Sequence, residues 1–77
     1  MTTHAIRDAR ELGALIRAHR KSAGLSQVDA AALAGVGPRF LSEIERGKET
    51  AEVGRVLKVL ERFGLVVELT PRRGRRT

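Results

Sequence analysis

The chain has no cysteine, no tryptophan and no tyrosine, and Phe40 and Phe63 are its only large aromatics. Each absence removes a class of function. Without cysteine there are no disulfides and no thiolate metal sites, and no redox compartment can be read. Single-strand and sequence-specific RNA binders stack bases on aromatic platforms. Two phenylalanines do not build such a platform, which leaves duplex DNA ahead among nucleic-acid partners. No apolar run approaches the roughly 20 residues of a membrane helix. The opening stretch Met1–Arg7 lacks the apolar core of a secretory signal, so the expected location is the cytosol. At 77 residues the chain makes one domain with a thin core, for which oligomerisation is a natural support.

Acidic residues are in the minority. The formal charge of +6 suits a polyanionic partner. Four arginines, however, crowd the end of the chain (Arg72, Arg73, Arg75, Arg76). The body is only mildly basic, so the placement of charge within it matters more than the total. The run Pro71–Thr77 reads as a basic flexible tail that adds non-specific phosphate contacts.

What is present is helical punctuation. Asp8 followed by Glu11 has capping-box spacing. Leu12, Leu15, Ile16 and His19 then recur on one helical face until Gly24. Ser26 and Asp29 repeat the start signal, and Val28, Ala31, Ala32 and Leu33 carry a short second helix to Gly35. Gly37-Pro38 opens a third helix, because proline at the first helical position loses only an N–H that would have no partner there. Gly47 stops it. Thr50 is placed to cap a fourth helix with the stripe Val53, Val56, Leu57, Leu60 and Phe63, ended by Gly64.

Leu65-Val66-Val67-Glu68-Leu69-Thr70 is β-branched and precedes Pro71, so it reads as a strand. No second strand candidate exists in the chain. Its simplest partner is the same segment of another copy, which makes a homodimer. The other reading is an extended tail packed on the core.

The short glycine turn between the second and third helices is a helix-turn-helix arrangement, whose second helix lies in the major groove. In that helix Leu41 and Ile44 share the inner face, with Phe40 at its edge. Arg39, Ser42, Glu43 and Arg46 occupy the outer face. Arg39 can donate twice to a guanine edge, Ser42 can donate or accept, and Glu43 can accept from cytosine. Arg46, farther along, is placed for a phosphate. Considered alone, such a polar face is better explained by solvation, and the surrounding pattern reverses that preference.

The run from Leu25 to Lys48 closely resembles the Cro/C1-type (xenobiotic-response-element) helix-turn-helix family of phage repressors and bacterial regulators. The Ser26-Gln27 opening, Ala31, the Gly35 turn and Ile44-Glu45 before Gly47-Lys48 carry the resemblance. It covers roughly residues 8–63, and Gly64-Leu-Val-Val-Glu-Leu69 looks like the strand that follows in HipB-like antitoxins. The resemblance implies an all-α, four-helix, lambda-repressor-like domain over 8–63, a dimerising strand over 64–70 and the basic tail over 71–77. It implies that Ser26 and Gln27 hold a DNA phosphate at the second helix's N-terminus, and that Lys48 meets another. Arg39, Ser42 and Glu43 stand at base-reading positions. Arg20 and Glu45 match a structural ion pair between the first and third helices. Gly37 and Pro38 depart from the family, where polar residues are common at both positions. One base-reading position is thereby lost, or reduced to apolar contact with a thymine methyl.

The implied function is sequence-specific repression at an inverted-repeat operator in a bacterial, nucleoid-associated setting. A HipA-type kinase toxin is implied as a second partner by resemblance alone. A solitary phage-like or regulatory repressor fits the helices equally, and an adaptor without specific DNA binding is the rival from another class. No cofactor or catalysis is expected. His4 and His19 have no cysteine or carboxylate partners at metal spacing. Gly47-Lys48 lacks the serine or threonine a P-loop requires, since Glu49 follows, and Ser42 stands where its upstream glycine would be.

Overall fold

The computed structural model describes residues 3–72 and contains four helices. They are α1 (Ala9–Ser22), α2 (Gln27–Ala34), α3 (Pro38–Glu45) and α4 (Val53–Arg62). Packing is centred on α3, which lies against both α1 and α2, while α4 lies against α2. Ile16 of α1, Leu41 of α3 and Val59 of α4 are fully buried, and Ala30, Ala31 and Ala34 of α2 join them.

The starts of α1 and α2 follow their signals. The Asp8 carboxylate accepts from the Glu11 N–H at 2.8 Å, and Ser26 Oγ accepts from the Asp29 N–H at 3.0 Å. The box at α1 closes differently, because Glu11 reaches back to the N–H of Arg7 at 2.8 Å rather than to Asp8. The expected Thr50 cap does not form. Glu52 is the N-cap of α4, without a side-chain bond. Its carbonyl takes the N–H groups of Arg55 and Val56, both at 3.1 Å.

The inner faces of α2 and α4 are narrower than their apolar content, and the α4 stripe is shifted in part from the one expected. In α2 the inner face is Gln27, Ala30, Ala31 and Ala34, at i, i+3, i+4 and i+7. Val28 and Leu33 are exposed. The alanines set this phase because only small side chains allow a neighbouring helix close to the backbone. In α4, Val56, Val59 and Leu60 are buried with Phe63 packed beside them, whereas Val53 and Leu57 face outward.

Gly13 explains how α1 reaches α3. A Cβ on Gly13 would lie 2.8 Å from the carbonyl oxygen of Glu45 and closer still to that of Ile44. The backbones of α1 and α3 therefore touch without a side chain between them. At the other end of the pair, α1 and α4 are joined where the His19 ring nitrogen meets the Phe63 carbonyl at 3.1 Å and the two rings stack.

Among the described residues there is no strand. Leu65 packs on the core and donates its N–H to the Leu60 carbonyl at 2.9 Å. Val66 and Leu69 are 83% and 95% exposed. The packed-tail reading thus holds for Leu65 alone, and the expected strand has no ladder partner within one chain. Of the basic tail, Pro71 and Arg72 are described, and residues 73–77 lie outside the described residues.

Candidate nucleic-acid interface

The turn between α2 and α3 aims the outer face of α3. Gly35 adopts φ 73°, a left-handed conformation that a side chain would strain. Its N–H bonds to the Ala32 carbonyl at 3.2 Å and that of Val36 to Ala31 at 3.0 Å, a Schellman ending. Val36 packs against the core, and Gly37 then serves as the N-cap of α3 with Pro38 in its first turn. The exit direction of the chain is fixed at each step.

The polarity of α3 divides as expected. Leu41 and Ile44 are buried, Phe40 is partly buried, and Pro38, Arg39 and Arg46 are exposed. Ser42 and Glu43 are half-buried between these groups. The outer groups are not free-standing. Arg39 Nε donates to Glu43 Oε2 at 3.3 Å, Lys48 Nζ donates to Glu43 Oε1 at 3.1 Å, and Arg46 Nη1 donates to Ser42 Oγ at 2.6 Å. The bond from Lys48 is the main influence holding the Glu43 carboxyl below the ordinary carboxylate range. Burial opposes it and Arg39 assists.

Beneath this face lies the ion pair of Arg20 and Glu45, each 7% exposed. Arg20 Nε and Nη2 donate to Glu45 Oε2 and Oε1 at 2.7 and 3.1 Å, a bidentate fork. Arg20 Nη1 donates to the Leu25 carbonyl at 2.8 Å, and Gln27 Nε2 donates to Glu45 Oε1 at 3.0 Å. One carboxylate thereby fastens α3 to α1 and to the first residue of α2. Burial by itself would raise the Glu45 carboxyl. The hydrogen bonds from Arg20 and Gln27, with the charges of Arg20 and Arg17 behind them, outweigh it and hold the group below the ordinary range. The bond to Glu45 raises the Arg20 guanidinium above its ordinary value against the effect of burial.

The α2 N-terminus bears on the phosphate-holding role expected of Ser26 and Gln27. Ser26 Oγ is committed as an acceptor, which leaves its O–H to donate. The N–H groups of Gln27 and Val28 begin the helix and have no helical carbonyl to bond. Together these donors suit an anion, and the helix dipole adds to the attraction. Gln27 spends its side-chain amide on Glu45, so its side chain is a positioned group rather than a loose one.

Three features of the site lie outside the helix-turn-helix pattern. Gly13 was detectable as a glycine inside a helical pattern, which needs a packing reason to offset its cost. The position of Lys48 beside Glu43 depends on the Gly47 turn. Gly47 has φ 90°, and the Lys48 N–H bonds to the Glu43 carbonyl at 3.1 Å. The Arg55 guanidinium lies 4.2 Å above the Phe40 ring, a cation–π contact for which spacing provides no signal.

Among the described residues no group of three potential ligands could hold a metal ion, and no helix is long and apolar enough to cross a membrane.

A family model described as "Helix-turn-helix domain" matches residues 11–72. An uncharacterised HTH-type transcriptional regulator of Sinorhizobium fredii, y4mF, is 42% identical over 64 residues, covering 83% of this chain and 84% of that protein. Among solved structures, a HipB–O4 20mer complex superposes with a TM-score of 0.81 at 19% identity, over 90% of this chain and 97% of that one. A HipA–HipB–O2–O3 complex matches equally, with a TM-score of 0.81, 19% identity and the same coverage. At such identity the structures establish likeness of fold.

Proposed function

The chain belongs to the helix-turn-helix family of transcriptional regulators, and from that premise we propose that it represses transcription by reading duplex DNA with α3. One observation carries the reading. The inner face of α3 is buried while Arg39, Ser42, Glu43 and Arg46 stand on the outer face of a helix held rigidly by the Gly35–Pro38 turn. Arg39 reads guanine, and Ser42 and Glu43 contact neighbouring bases. Pro38 offers apolar contact to a thymine methyl. Ser26, Gln27, Arg46 and Lys48 hold phosphates.

Arg39→Ala is expected to lose about 1–3 kcal/mol on a duplex selected from a random pool, with specificity relaxed at one base pair. Gln27→Ala should weaken all duplexes alike. Titrations over a salt series measure both effects. Equal loss from Arg39→Ala on every sequence would remove its base-reading role. Binding no stronger than that of a basic peptide would favour the adaptor reading.

The operator is an inverted repeat read by a homodimer. Two-fold symmetry places two copies of α3 in successive major grooves, about 34–36 Å apart. The segment Leu65, Val66, Val67, Glu68 and Leu69 pairs with its own copy. Supporting this, Val66, Val67 and Leu69 are exposed and lie next in the chain to an α4 whose Val53 and Leu57 also face outward. Shortening the chain to end before Leu65 should turn dimers into monomers by light scattering. Dimers that persist would defeat the pairing scheme.

Within this reading, the chain acts as the antitoxin that autoregulates a HipA-type toxin operon in the bacterial cytoplasm. Its fold likeness to a chain whose structure was solved with HipA supports that role. A solitary regulator is the second reading, favoured by the designation of the Sinorhizobium relative as a transcriptional regulator. Purification with or without a kinase-like partner encoded beside the gene separates the two.

A further inference from the structure

We infer that Glu43 determines specificity by internal competition, its carboxylate holding Arg39 and Lys48 away from DNA that lacks the matching base. This rests on the duplex-reading role of α3. The two carboxylate oxygens serve two different cations, Oε2 accepting from Arg39 at 3.3 Å and Oε1 from Lys48 at 3.1 Å. Arg39 comes from one turn earlier on the helix. Lys48 is delivered by the turn after it, because its own N–H is bonded to the Glu43 carbonyl at 3.1 Å. The Glu43 side chain is 22% exposed against 91% for Arg39. The acid is therefore the half-buried centre of the cluster and the arginine its exposed arm.

A DNA phosphate presents to these cations what Glu43 already presents, anionic oxygens in hydrogen-bonding reach. On an arbitrary duplex, one anion replaces another for the cations, and the displaced carboxylate is left beside phosphates that repel it. Where a cytosine amino group faces position 43, the carboxylate gains a donor of its own. Arg39 is then free for a guanine and Lys48 for a phosphate. The acid opposes binding wherever no cytosine answers it, and opposes it least, or aids it, where one does. Exposed ion pairs are weak enough to be exchanged in this way.

Glu43→Gln removes the charge and keeps the shape. Binding of the full chain is measured on a selected duplex and on a random-sequence duplex of equal length, across a salt series. The variant should bind the random duplex about threefold to tenfold more tightly at low salt. The selected duplex should gain less, or weaken, so the specificity ratio falls. Placed in a Lys48→Ala background, the same change should produce a smaller gain. Equal changes on both duplexes, or weakening on both, would overturn the inference while leaving the DNA-reading role of α3 in place. A parent chain with no preference for any duplex would overturn both.

Discussion

Glu45→Ala is expected to cost about 3–5 kcal/mol of folding stability, read from urea unfolding followed by circular dichroism. The reason is the position of Arg20. Its guanidinium is buried between α1 and α3 and gives two of its bonds to the Glu45 carboxylate. Removing the acid leaves a buried cation with only the Leu25 carbonyl, and leaves the Gln27 amide without its acceptor. Against a typical total of about 5–15 kcal/mol, that is a large share for a small domain. A double variant, Arg20→Met with Glu45→Leu, should recover most of the loss, since a well-packed apolar pair is often as stable as a buried ionic one. A single-variant loss below about 1 kcal/mol would mean that the pair is not structural.

The same pair sets the acid limb of stability. The Glu45 carboxyl titrates lower in the folded chain than in the unfolded one. Its contribution is complete above the unfolded value and disappears as pH falls through the folded value. Glu43, also lowered, acts in the same direction. Glu45→Ala should therefore flatten the decline of melting temperature below the ordinary glutamate range. The raised Arg20 contributes below its unfolded value and is lost only in strong alkali.

Gly13→Ala should be the second large effect, about 3 kcal/mol of destabilisation, at the upper end of the overpacking range. The added methyl would lie 2.8 Å from the Glu45 carbonyl oxygen and nearer to that of Ile44. Neither oxygen can rotate away as a side chain can. α1 and α3 must separate, which disturbs Leu41, Ile44 and the Arg20–Glu45 fork together. The better helix propensity of alanine, about 1 kcal/mol, offsets only part of this. Gly54→Ala is the internal control. It lies in α4 with open space around it, and it should stabilise by about 0.4–1 kcal/mol through the unfolded chain. Thermal melts of the two variants should shift in opposite directions. A neutral Gly13→Ala would mean that α1 and α3 do not touch by backbone.

How much of this was readable in advance follows from where each signal resides. Asp8, Ser26, Gly35 and Pro38 act on backbone groups a few residues away, so their roles were legible from order alone. The inner face of α3 was legible because Leu41 and Ile44 are separated by polar residues. In α2 and α4 apolar residues occupy more than one face, and residue type alone does not decide which face turns inward. Val53 and Leu57, expected in the α4 stripe, face outward for that reason. The contact of Arg20 with Glu45 spans 25 residues, and it became legible only through the family resemblance. The proposed pairing of Leu65–Leu69 would need a second chain, so its geometry lies outside what one chain can display.

The backbone contact at Gly13 has a genetic consequence. Most core collisions can be relieved by trimming a facing side chain, so second-site suppressors arise among neighbours. Here the facing groups are main-chain carbonyls, which every amino acid carries. No substitution at position 44 or 45 removes the obstacle, and Glu45 is committed to Arg20 besides. A selection for revertants of Gly13→Ala should return glycine at position 13 itself, or globally stabilising changes elsewhere such as Gly54→Ala.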